Sequence, residues 1–190
     1  IVELYRHLGP DTDVPAGDIG VGGREVGFMA GMMKKLSNNA ACVFTGKGMS
    51  FGGSLIRPEA TGYGLVYFVD DMLKTRKDGF DGKTVSLSGS GNVAQYSAEK
   101  LPALGARVVT VSDSSGTVYD KAGLDREKLG ALMTLKNDHY GRIEDFAKQF
   151  GLEYLPGRTP WHIPADIALP CATQNELNDE DAKLLVKNGV

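Results

Sequence analysis

The chain has 190 residues, 42% of them hydrophobic, and a formal net charge of −3, so it can bury a real core as one domain or one and a part. Acids and bases are mixed along it without a basic block, which argues against a nucleic-acid partner. No apolar run nears the roughly 18 residues of a membrane span and no charged, apolar leader is visible, so a cytoplasmic protein without membrane contact is expected.

Cys42 and Cys171 lie far apart, without disulfide or metal-ligand spacing, and are expected as reduced thiols. His7, His139 and His162 suggest neither a triad nor a metal site. The chain opens at Ile1 without an initiator Met and stops at Val190 after a helical pattern, so it is expected to be a segment of a longer polypeptide.

In chain order, the first feature is "GPDTDVPAGDIGVGGREVGFMAG", Gly9 to Gly31, with Asp11, Asp13 and Asp18 close together. Asp18 follows a Pro15-Ala16-Gly17 turn that would limit and aim it, and it reads either as a turn-capping residue or as a catalytic carboxylate. "REVGFMAGMMKKLSNN" puts Val26, Met29, Ala30, Met33 and Leu36 at helical spacing, ending at Asn38-Asn39. The methionine stripe is expected to pack a core. "ACVFTG" looks like a strand, and "GKGMSFGGS", Gly46 to Ser54, reads as a hinge or an ordinary loop.

One long helix is expected over "RPEATGYGLVYFVDDMLKTRKDG", with Pro58 in its first turn. From Lys83 the chain alternates: a strand "KTVSLSG", a helix "NVAQYSAEKLPALG", a strand "ARVVTVSD", a helix "LDREKLGALMTLKND" capped by Asp125, then "RIEDFAKQFG", "LEYLP" and "ADIALP". Pro102 should kink or end its helix. The rhythm predicts an α/β domain, a doubly wound and mostly parallel sheet with helices on both faces.

Between the first strand and helix of that series, "GSGNVA" fits the dinucleotide fingerprint in the right context. Gly89 permits the tight turn, Gly91 lets backbone approach a pyrophosphate, and Ala94 allows close helix packing. The helix amino-terminus, through Ser90, Asn92 and Val93, offers N–H groups to the diphosphate. About 20 positions beyond the glycines, Asp113 suits an unphosphorylated ribose and hence NAD, whereas Ser114, Ser115 and Lys136 suit a 2′-phosphate. The residues alone leave that choice open.

The stretches "PAGDIGVGGREVGFMAG", "TGKGMSFGGSLIRPEATGYG", "GSGNVAQ" and "LPCATQNEL" closely resemble the hexameric glutamate dehydrogenases of the Glu/Leu/Phe/Val dehydrogenase family. The likeness covers essentially the whole chain and is strongest to the NADP-dependent bacterial and fungal branch. It implies that residues 1–52 end a separate α/β substrate and oligomerisation domain, and that 53–190 begin a Rossmann-type dinucleotide domain. By motif match, Asp18 would carry the proton to and from the substrate nitrogen, and Gly17 would contact substrate through its backbone. Thr61 and Asn92 would meet the nicotinamide end of the cofactor.

The same likeness links Ser114 and Lys136 to a 2′-phosphate, which tilts the choice to NADP over NAD, and sets Cys171, Ala172 and Asn175 near the cofactor cleft. The implied reaction is reversible: L-glutamate, NADP and water give 2-oxoglutarate, ammonium and NADPH. Hydride leaves the α-carbon only once the amine is neutral, so a base must first take the ammonium proton. A carboxylate serves best where burial and neighbouring acids favour its protonated form. The family's catalytic lysine and carboxylate-binding lysines are expected before Ile1, a serine and the rest of the nucleotide fold after Val190. Alone, the 190 residues should not turn over glutamate. The resemblance also implies a homohexamer with a role in ammonium assimilation. The rivals are a leucine or phenylalanine dehydrogenase and a noncatalytic nucleotide-binding scaffold.

Overall fold

Val26, Ala30 and Met33 recur at three- and four-residue spacing, and helix α1, Gly23–Ser37, buries that stripe. The computed structural model describes residues 1–55 and 57–190 and divides into two units, Ile1–Arg57 and Pro58–Val190. In the first unit, α1 starts where the Glu25 carboxylate accepts the Gly22 N–H at 2.9 Å, and it stops at Asn38, whose φ of 50° takes the left-handed form. Phe44 completes this small core, with Val21, Met29 and Phe51 packed against it.

The strand expected over Ala41–Gly46 is absent: residues 41–44 carry no regular structure and Thr45-Gly46 is a turn. A strand needs a lateral partner. Here the Thr45 N–H reaches the Pro15 carbonyl at 3.0 Å and no ladder develops. The glycine cluster that follows folds as a tight 3-10 turn over Met49–Phe51. At Gly53 a Cβ would lie 1.8 Å from the Lys47 carbonyl oxygen, so only glycine fits there.

The second unit opens with α2, Ala60–Thr75. It begins two residues after Pro58, which therefore sits outside the helix rather than in its first turn. Strand β1, Thr84–Leu87, leads to α3, Asn92–Lys100. As expected from Pro102, the α-helix ends at Lys100 and a 3-10 turn runs over Leu101–Leu104 to Gly105, at φ 84°. Next come β2, Arg107–Val108, β3, Thr110–Asp113, and β4, Gly116–Tyr119. Helix α4, Arg126–Asn137, starts at Asp125, whose carboxylate accepts the Lys128 N–H at 2.9 Å, as its position had suggested. Helix α5, Ile143–Phe150, β5, Glu153–Pro156, β6, Ile167–Leu169, and α6, Asp179–Asn188, complete the unit.

Strands β2, β1 and β6 form a parallel sheet with Val85 opposite Val108 and Ile167. Val85, Ser86 and Leu87 are all buried, so both faces of β1 are covered. The other three strands form an antiparallel sheet in the order β3-β4-β5. The single strand expected over Ala106–Asp113 is thus divided at Val109. Its N–H bonds the Val85 carbonyl at 2.9 Å, while its own carbonyl accepts the Asp120 N–H at 2.8 Å, so one residue serves both sheets. Strand β4 was not foreseen, because Ser114-Ser115 lacks the Asn-Gly, Asp-Gly or Gly-X pair that signals a two-residue hairpin turn.

One continuous core joins Val85, Leu87, Val108 and Val111 to Val66 of α2, Ala94 and Ala98 of α3, Leu132 of α4 and Phe146 of α5. Asp120, nearly buried, is paired with Lys128 at 2.6 Å. Among the described residues no helix is long and apolar enough to cross a membrane.

Candidate functional site

The fingerprint loop is built between three walls. β3 supplies the first: Ser112 Oγ accepts the Gly89 N–H at 2.8 Å, and the Ser112 N–H returns to the Gly89 carbonyl at 3.0 Å. The chain after β6 supplies the second, since Ser88 Oγ accepts the Cys171 N–H at 2.8 Å. A Cβ on Gly89, whose φ is 81°, would lie 2.8 Å from the Cys171 carbonyl oxygen. Glycine is therefore required there by both conformation and space. Gln95, buried in the first turn of α3, supplies the third by donating to the Ser90 carbonyl at 2.8 Å.

The start of α3 itself stays open. Its N-cap, Gly91, has no side chain to close the turn, whereas α4 and α6 are capped by Asp125 and Asn178. Gly91 and Asn92 are exposed and Val93 is half-buried. The free N–H groups and the partial positive charge at this end can receive a diphosphate.

Thr61 lies in the first turn of α2, one residue from the closest crossing of α2 over α3. A Cβ on Gly62 would meet Tyr96 Cβ at 2.7 Å, the Ser97 nitrogen at 2.8 Å and the Val93 carbonyl oxygen at 2.9 Å. This contact sets the first turn of α2, where Thr61 is exposed, against the fingerprint helix. Cys171 flanks the loop with its thiol pushed up to about 12, chiefly by burial, so it stays protonated and is no nucleophile. Ala172 is exposed and its N–H donates to Glu176 at 3.0 Å. Asn175 turns the chain with a φ of 57°.

At the far end of β3, Asp113 is occupied. One carboxylate oxygen accepts the Ser115 N–H at 2.8 Å and the Ser115 hydroxyl at 2.5 Å. The other accepts the Ile143 N–H at 3.2 Å, at the start of α5, and lies 3.8 Å from Lys136 Nζ. Burial acts to raise the Asp113 pKa, but the Ser115 and Ile143 hydrogen bonds and the Lys136 charge outweigh it and hold the carboxyl below its usual range.

Beside it, Arg142 donates to Ser114 Oγ at 2.9 Å and Lys136 donates to the Gly141 carbonyl at 2.9 Å. Two cations and a hydroxyl thus converge around one hairpin tip, a donor set suited to a phosphate. Arg142 was missed in the sequence, as was Gln95. Only the hairpin that returns β4 and the fold of α4 against α5 bring Arg142 to Ser114.

In the first unit, Asp18 is exposed in a loop. Its carbonyl accepts the Val21 N–H at 2.8 Å across a turn with Gly20 at φ 75°. Gly17 is needed because a Cβ would lie 2.8 Å from the Val21 carbonyl oxygen. The sheltered setting expected for a proton-transferring carboxylate is not supplied within this unit.

The family model for the glutamate/leucine/phenylalanine/valine dehydrogenases matches residues 52–190. The chain is 70% identical over 190 residues to the NADP-specific glutamate dehydrogenase of Escherichia coli, covering all of this chain and 42% of that protein. It is 61% identical over 188 residues to the NAD(P)-specific glutamate dehydrogenase of Xylanibacter ruminicola, covering 99% of this chain and again 42% of the relative. The glutamate dehydrogenase structure of Plasmodium falciparum superposes with a TM-score of 0.85 at 50% identity, over 99% of this chain and 40% of that one. The chain therefore spans less than half the length of the relatives it matches. A glycine-walled loop opening an uncapped helix, a phosphate-suited donor set and these matches lead to one conclusion: the chain belongs to the glutamate/leucine/phenylalanine/valine dehydrogenase family.

Proposed function

We propose that this chain is part of a glutamate dehydrogenase that interconverts L-glutamate and 2-oxoglutarate plus ammonium with NADP(H). The observation that carries the reading is 70% identity, without a break in coverage, to a protein named NADP-specific glutamate dehydrogenase. The residues also fit the cofactor. Gly89 leaves a cradle that a Cβ would fill, α3 opens without a side-chain cap, and Ser114, Arg142 and Lys136 offer donors of the right charge for a 2′-phosphate.

When bound, the nicotinamide supplies the hydride chemistry. The chain's own residues do the rest. The α3 amino-terminus and the Gly89–Gly91 loop hold the diphosphate, Thr61 and Asn92 orient the nicotinamide end, and Lys136, Arg142 and Ser114 read the 2′-phosphate. Cys171, Ala172 and Asn175 edge the loop. Asp18 takes the proton from the substrate ammonium in the deamination direction and returns it in amination, with Gly17 contacting substrate through its backbone. Shelter for Asp18 has to come from outside the first unit, and Gly46–Ser54 is the hinge of this reading.

Asp113 favours neither cofactor as a ribose acceptor, because both of its oxygens are already engaged; the basic pair supports NADP over NAD. A homohexamer in the cytoplasm, acting in ammonium assimilation, completes the reading, and sedimentation of the complete protein tests the assembly. The decisive experiment is Asp18→Asn in the complete enzyme: NADPH binding by calorimetry is retained and turnover collapses. Near-normal turnover of the variant would refute the role of Asp18, and absence of glutamate-dependent NADP reduction by the unmodified enzyme would refute the activity.

A further inference from the structure

Gln95 is a long amide directly after the fingerprint, in the first turn of α3, with only 1% of its surface exposed. An apolar side chain would fill that space without the cost of desolvating an amide. Both of its polar atoms are engaged: Nε2 donates to the Ser90 carbonyl at 2.8 Å and to Asn137 Oδ1 at 3.1 Å, and Oε1 accepts from Asn137 Nδ2 at 3.0 Å. The two amides thus pair face to face between α3 and the last residue of α4.

The Ser90 bond has a geometric consequence. In a trans peptide the carbonyl of one residue and the N–H of the next point in opposite directions. Fixing the Ser90 carbonyl inward on Gln95 therefore aims the Gly91 N–H outward, to the side where a diphosphate lands. The Asn137 bond has another. Asn137 follows Lys136 directly, and Lys136 Nζ stands 3.8 Å from Asp113 and 2.9 Å from the Gly141 carbonyl, beside Ser114 and Arg142. Through Asn137 the amide pair ties the last turn of α4, with its lysine, to the loop that would hold the diphosphate.

We propose that the Gln95–Asn137 pair is a positioning bridge that sets the distance between the diphosphate loop and the basic residues, and with it the preference for a 2′-phosphorylated dinucleotide. The inference rests on the NADP reading above. The loop half of the bridge serves any dinucleotide, while the Asn137 half serves only one carrying a phosphate on its ribose.

The test is steady-state kinetics of the complete enzyme with NADPH and with NADH. Asn137 lies at the surface, so Asn137→Ala removes the pairing without opening a core cavity. Its KM for NADPH should rise about tenfold, the scale of one misaligned charge-assisted bond, and its KM for NADH by less than about twofold. Gln95→Met, which keeps the length of the side chain, should raise both KM values because it also frees the Ser90 carbonyl. If Gln95→Met does not fold, the NADPH-to-NADH ratio of Asn137→Ala decides alone. An unmodified enzyme that prefers NADPH, with a ratio unchanged by Asn137→Ala, overturns the bridge and leaves the cofactor reading standing. An unmodified enzyme with no preference for NADPH removes that reading and the bridge with it.

Discussion

Gly62→Ala should destabilise the second unit, although helix propensity alone says the reverse. In a helix interior, alanine is better than glycine by about 1 kcal/mol. Against that gain stand three contacts below 3.0 Å, two with backbone atoms of α3 and one with Tyr96 Cβ. None can rotate away, so α2 and α3 must separate by several tenths of an ångström, and the 3.3 Å bond from Ser97 Oγ to the Gly62 carbonyl stretches with them. Overpacking of this kind costs about 1–3 kcal/mol, and rigid neighbours put the site in the upper part of that range. The net expectation is a loss of about 1–2 kcal/mol. Urea denaturation followed through Trp161, the only tryptophan in the chain and fully buried in this unit, reads it directly. With a slope of about 2 kcal/mol per molar, the midpoint should fall by about 0.5–1 M. Gly64→Ala is the control: its Cβ would meet nothing within 4 Å, so its midpoint should hold or rise. A Gly62→Ala protein that unfolds at or above the unmodified midpoint refutes the close-crossing argument.

The basic cluster makes its own prediction: Lys136→Ala or Arg142→Ala should each weaken NADPH binding about 10- to 100-fold by calorimetry and barely change NADH, since each removes a charge-assisted bond of about 1.5–3 kcal/mol. Asp113 has its folded-state pKa below the unfolded value of about 3.9, so its stabilisation is full above that pH and is lost as pH falls through the folded value. Asp113→Asn should therefore lower the denaturation midpoint at pH 7, and the gap from the unmodified protein should close on acidification; a gap constant to pH 2.5 would contradict this. Cys171, with its thiol at about 12, should resist iodoacetamide at pH 8 in the folded protein and react once unfolded, as peptide mass spectrometry will read. Fast labelling of the native protein would mean that this half-buried thiol is more open to solvent than its surroundings suggest.

What the sequence discloses is what is local. The cap at Asp125, the helix end before Pro102 and the glycine turn at Gly89 depend on a few neighbouring residues, and all three were legible. The Ala41–Gly46 segment has strand composition but no partner, and pairing is not a local property. The hairpin β3–β4 hid inside what reads as one long strand plus a serine turn. Arg142 and Gln95 escaped for a related reason: each acts on a residue brought near only by the fold, Ser114 at one hairpin tip and Asn137 at the end of α4. Asp113 was visible as an acid in the expected place, yet its employment by Ser115 and Ile143 was not.

Val109 gives the domain a mechanical property. Because its amide is tied to the parallel sheet and its carbonyl continues the β3–β4 pairing at Asp120, the hairpin cannot slide along β1 without breaking the Val109–Val85 bond. In the NADP reading proposed above, the stretch from Gly91 to Ser114 then works as a ruler between the cofactor's diphosphate and its 2′-phosphate.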